Sequence, residues 1–309
     1  MTNTQECFDR AALQAADALE LPAATASTLT DPIHPIFRAS NFPGSLKLPV
    51  RIRRSGGQTP IPSLYATISP ALRLASRFIS QPSGMLWWTR VLLGSVQSVP
   101  GENRGVLVDN PGRFGLARRK LTEHADYVSF RWQPDSEAFA STYPDPRDGA
   151  KAIIYLHSDM KAFAQGAYHS STASHQLRFQ FFLALNICHE LAHSVMKCRG
   201  ARREPFFDVD EPQAELGASW EYAQFGGKIQ AINYSMTAAD GLMWYPWQSS
   251  IAEAEAIERD DRRFVAVSME WVMLHFDKDG WRKVRPPMKT VCTAVMLFTD
   301  DSDSSSTQS

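Results

Sequence analysis

From Gln176 to Arg199 the chain is dense in apolar residues, Leu177, Phe179, Phe181, Phe182, Leu183, Leu185 and Ile187 among them, with good helix formers and neither Pro nor Gly. A run of this length and composition predicts one long, mostly buried helix. Ser171, Thr172 and Ser174 offer N-caps, Lys197 and Arg199 suit the negative end of its dipole, and Gly200 suits the residue just past its end.

Elsewhere the pattern is of shorter range. Lys151 to His157 is a β-branched and aromatic run bounded by Asp148-Gly149 and Ser158-Asp159, which predicts a strand. Residues 105–109 and 127–132 read as shorter strands, 71–79 as a helix, and 85–96 as an apolar segment holding Trp87 and Trp88. A short helix is expected over 5–19. Pro32, Pro35, Pro43, Pro49, Pro60, Pro62 and Pro70 predict an extended, surface-wrapping stretch between these elements. Gly226-Gly227 mark a turn before an extended 228–236, and Trp244, Tyr245 and Trp247 read as core or pocket wall. Residues 264–276 fit helix and hairpin alike. The acidic, Ser-rich 300–309 reads as a disordered tail. The expected organisation is a Pro-rich extension over 1–70, an α+β catalytic domain over 71–299 and the tail, with no internal repeat.

With 309 residues, 44% of them hydrophobic, the chain can bury a sizeable core. Its net charge of −1 and the small size of its basic groups, Arg51 to Arg54 and Arg118 to Lys120, argue against a nucleic-acid partner. No stretch is long and apolar enough to predict a membrane span, and the N-terminus has no apolar signal core, so an intracellular, cytoplasmic protein is expected. Cys7, Cys188, Cys198 and Cys292 show no CxxC pairing and predict neither a zinc ribbon nor a disulfide framework.

The chemistry concentrates inside the long helix, at His189-Glu190-Leu191-Ala192-His193. Residues four apart share a helix face, so His189 and His193 can present imidazoles to one ion, and Glu190 lies within reach of a water on it. Polar groups in so apolar a helix need a partner, and a metal supplies one. A catalytic zinc asks for one more protein ligand. Met196 and Arg199 stand where an extended HExxHxxGxxH motif would place Gly and His, and His275 falls in a segment that reads as strand or hairpin, so a carboxylate is favoured. The next acidic cluster runs from Asp208 to Glu221. Its Pro212 fits the first turn of a second helix, with Asp210 or Glu211 near the cap and Glu215 in the first turns.

The HELAH motif with a downstream glutamate-bearing helix resembles the zincin metallopeptidase superfamily, most closely its glutamate-ligand branch. The wider pattern, Glu204-Pro-Phe-Phe followed by 214–227, is similar to a group of uncharacterised fungal zincin-like proteins. The resemblance implies a small twisted sheet packed on the active-site helix, a mainly helical C-terminal part, and 152–157 as a strand facing or adjoining the substrate. It implies Zn²⁺ held by His189, His193 and a glutamate, for which Glu215 is chosen, with Glu211 and Glu221 as alternatives. Glu190 is then the general base. His157, Tyr168 and His169 are candidate oxyanion or substrate donors. The expected activity is zinc-dependent hydrolysis of a peptide. The alternatives are Lewis-acid chemistry on a small molecule and a metal-stabilised binding protein without turnover.

Overall fold

The computed structural model describes residues 10–15, 17–21, 24–43, 62–99, 104–109, 112–134, 138–201, 203–245, 264–282 and 296–297. The tail, Arg51 to Arg54, Cys7, Cys292 and Trp247 lie outside them.

The chain is a mixed α+β structure arranged around one helix. In order it forms α1 (Arg10–Ala15), α2 (Leu64–Ser80), α3 (Pro82–Leu93), β1 (Ser95–Ser98), β2 (Gly105–Val108), α4 (Phe114–Glu123), β3 (Val128–Gln133), β4 (Ala140–Asp145), β5 (Asp148–His157), α5 (Ser158–Gln165), α6 (Ala173–Cys198), α7 (Leu216–Phe225), β6 (Lys228–Ala231), β7 (Leu242–Tyr245), β8 (Phe264–Ala266), α8 (Met269–Phe276) and β9 (Met296–Leu297). The helix expected over 176–199 is α6. The Thr172 hydroxyl accepts a hydrogen bond from His175 N at its start, and Gly200 takes a left-handed φ of +71° just past its end. Apolar on almost every side, α6 is packed against α2, α7, α8 and the strands β4 and β5.

β3, β4 and β5 form one sheet in the order β3-β5-β4, with β3 parallel and β4 antiparallel to β5. The predicted strand 151–157 is therefore central, and β3 and β4 are the edges among the described residues. Pro144 is tolerated in β4 because an edge strand can spare a backbone donor. β1 and β2 make a hairpin, and the segment after α6 runs beside it: Leu107 N donates to Phe206 O (2.9 Å) and Phe206 N to Gly105 O (2.9 Å).

Beside the helices α7 and α8, the C-terminal part holds an antiparallel sheet of β6, β7, β8 and β9 that the expectation of a mainly helical part did not include. The ambiguous 264–276 resolves into β8 followed by α8, so His275 lies on a helix, buried, with its Nδ1–H donating to the Trp271 carbonyl (2.9 Å). α2 begins at Leu64, seven residues ahead of the expected 71–79, and runs through Pro70.

The N-terminal segment is latched to α6. Leu21 N donates to Ser174 Oγ (3.0 Å), while the buried Arg178 donates to the carbonyls of Leu19, Ala238 (3.0 Å) and Ala239 (3.2 Å). Among the described residues no helix is long and apolar enough to cross a membrane.

Candidate metal centre

His189 and His193 sit one turn apart on α6, and their Nε2 atoms face a single carboxylate oxygen, Oε1 of Glu215, at 3.1 and 3.0 Å. Ligands of a tetrahedral zinc, each about 2.0–2.1 Å from the ion, stand about 3.3–3.4 Å apart. The two distances from Glu215 Oε1 are thus close to the edges of that cage, and the N₂O donor set suits zinc. Ligand atoms of His189, Glu190 and His193 all lie within 4.8 Å of one another.

Each imidazole is oriented from behind. His189 Nδ1 meets Glu221 Oε1 (2.7 Å), whose other oxygen accepts from Ile229 N (2.9 Å). His193 Nδ1 meets Glu204 Oε1 (2.7 Å), whose other oxygen accepts from Leu216 N (3.1 Å). A carboxylate on Nδ1 fixes the ring and directs Nε2 at the metal position. Glu215 serves twice: as N-cap of α7 its Oε2 accepts from Ala218 N, leaving Oε1 for the histidines. The approach of α7 is close enough to require glycine at 217, where a Cβ would fall 2.4 Å from His189 Nε2 and Cδ2.

No family model, curated protein or solved structure matches this chain.

The electrostatics follow from the pairing. Burial works to discharge His189 and His193, but the carboxylates outweigh it. Glu215 and Glu221 hold His189 well above the ordinary histidine value, and Glu204 and Glu215 raise His193 to about 9. Burial likewise works to raise Glu215, and the two imidazoles instead hold it far below the ordinary carboxylate range. With no ion between them, the three groups form a proton-bridged cluster. A cation entering it takes the place of protons.

Glu190 is buried against β4, where the Thr142 hydroxyl lies 2.7 Å from its Oε2 and 3.0 Å from its main-chain oxygen. Its Oε1 has no protein partner among the described residues. The centre opens into a cleft of about 1170 Å³ walled by β4 (Ala140, Ser141, Thr142), the β1–β2 hairpin and the segment from Arg199 to Phe206.

The structure separates the other sequence candidates. Glu211 turns elsewhere, accepting from Ser219 Oγ and from Phe207 N (2.8 Å), and burial pushes its carboxyl up to about 7. Glu221 faces the far nitrogen of His189 rather than the convergence point. Pro212 lies outside α7, which starts at Leu216. His157 is the buried N-cap of α5, its Nδ1 accepting from Asp159 N (3.2 Å). Tyr168 is buried against Phe163 and Phe179, and His169 pairs with Thr67 (3.3 Å). None of these three lines the cleft.

Two residues of the centre were not foreseen as functional. Thr142 sits in a short polar strand without apolar alternation. Glu204 belongs to the Glu-Pro-Phe-Phe stretch, and no periodicity links it to His193.

Proposed function

We propose that this chain is a zinc-dependent hydrolase that cleaves amide bonds in peptides, with a zincin-like arrangement of helix, edge strand and cleft. The observation that carries this reading is the convergence of His189 Nε2, His193 Nε2 and Glu215 Oε1, with the Glu190 carboxylate beside it. Held there, Zn²⁺ would bring the pKa of a water towards neutrality and polarise the substrate carbonyl.

The protein's own groups do the rest. Glu204 and Glu221 hold the two rings with Nε2 inward. Thr142 fixes one oxygen of Glu190 and leaves the other to accept the proton of the attacking water. The same carboxyl then delivers that proton to the departing amide nitrogen as the C–N bond breaks. β4 supports a peptide substrate in particular, because among the described residues its outer edge pairs with no strand, and an extended chain can add there through main-chain hydrogen bonds.

The test is digestion of a broad peptide mixture by the zinc-loaded protein, with and without a chelator, alongside metal analysis. One zinc per chain and chelator-sensitive cleavage are expected. Glu190→Gln should keep the metal and lose at least about a hundredfold in turnover, the scale of a general base. Full activity in Glu190→Gln, or a chain that takes up no zinc, would overturn the reading.

A further inference from the structure

We infer that the substrate of this cleft is anionic, its negative charge read by Lys197 and Arg203 beyond His193. The inference rests on the hydrolase reading and narrows it to acidic peptides.

The cleft is lined by groups of both signs, and they differ in how far they are paired. Its lining carboxylates all belong to the metal centre and all have partners: Glu190 with Thr142, Glu204 with His193 and Leu216 N, Glu215 with both histidines. Its lining cations are Arg104, Lys197, Arg199 and Arg203. Lys197 stands four residues after His193 on the same helix, so it shares that face about 6 Å further along the axis. Arg203 immediately precedes Glu204 in the segment that lines the cleft after α6. Neither has a hydrogen-bond or ion-pair partner among the described residues.

Arg199 adds fixed charge. Its guanidinium donates to the carbonyls of Val91 (2.9 Å) and Gly94 (3.3 Å), with no carboxylate in ion-pair range among the described residues. Arg104, which also lines the cleft, lies over the Phe206 ring at 4.2 Å and donates to Val209 O (2.9 Å), which holds a further positive charge in place. A neutral peptide spanning the cleft would leave this field unanswered. A peptide with a carboxylate a few residues from the scissile bond would answer it, and the walls of the cleft concentrate the attraction. Two half-exposed ion pairs together correspond to about a tenfold preference.

The experiment uses the zinc-loaded Glu190→Gln protein, so that binding is read without turnover. Fluorescein-labelled hexapeptides containing either glutamates or glutamines at matched positions, each as free acid and as C-terminal amide, are titrated by anisotropy at low ionic strength. The glutamate peptide should bind about tenfold more tightly, an advantage that shrinks with salt. It should be lost when Lys197→Glu and Arg203→Glu are added, and kept when Arg147→Glu and Lys161→Glu, which make the same change in net charge away from the cleft, are added instead. Comparing acid with amide shows whether a terminal or a side-chain carboxylate is read. Melting temperatures and zinc contents matching the parent show that the variants fold.

Equal affinities, no binding of either peptide, or an advantage that survives at Lys197 and Arg203 would overturn the inference, whatever the zinc content. A chain that binds no zinc but still prefers the glutamate peptide through these residues would sink the hydrolase reading instead.

Discussion

Gly217 shows how little room the centre leaves. A methyl group there would press on the ring of His189, which is clamped between Glu215 and Glu221 and has nowhere to move. Gly217→Ala should weaken zinc binding at least about tenfold, as disturbed ligand orientation commonly does, measured by competition with a chromophoric chelator. Gly200→Ala, at a left-handed position with open space around it, should instead cost about 1 kcal/mol of stability and leave zinc affinity alone. Glu204→Gln and Glu221→Gln should each lower zinc affinity about 10- to 100-fold. At this scale the sequence was legible where geometry is local. His189, Glu190 and His193 are arranged by helical periodicity alone. The approach of Glu215 rather than Glu211 to the imidazoles depends on where a second helix begins. Glu204 was hidden because main-chain bonds of Phe206 to Gly105 and Leu107, a hundred residues earlier, hold its segment in place.

Among the elements, α7 begins four residues after Pro212, where its composition suggests the first turn. Proline at 212 satisfies a first helical turn or the loop before one, since its fixed φ suits both. The glutamate at 215 ends the ambiguity by capping the helix with one oxygen while the other faces the histidines. These duties can be separated. Aspartate is a strong N-cap but one methylene shorter, so Glu215→Asp should keep the helix content of the parent while losing most zinc affinity. Circular dichroism and a zinc titration on the same sample would show it, and loss of both together would contradict the division. The edge strand β4 escaped the sequence for a related reason. Its residues Ser-Thr-Tyr-Pro lack apolar alternation, and only pairing with β5 makes them a strand. α6 and β5, whose patterns are long and strong, were legible to within three residues at each end.

At the scale of the whole molecule, the proton-bridged centre ties stability to pH. His189 and His193 bind protons more tightly folded than unfolded, so without metal their contribution is complete below the unfolded value of about 6.5. It is lost as pH rises through about 9 for His193, and the contribution of His189, also held well above its ordinary value, is lost in the same direction. Glu215, held low, contributes throughout this range and gives way only in strong acid. The melting temperature in chelator should therefore fall from pH 7 to 10 in calorimetry. The stabilisation added by zinc should grow over the same interval, because metal and protons compete for the same nitrogens. A flat metal-free profile would contradict this account.

The carbonyl cage around Arg178 sets a limit on how far the chain can be shortened from its front. Beginning at residue 24 would discard Leu19 and leave a deeply enclosed cation with part of its coordination removed, a loss of the kind that costs several kcal/mol. The front half of α6 would loosen before the histidines at its other end felt anything. A version beginning at residue 17 keeps that anchor and should retain the grip on α6.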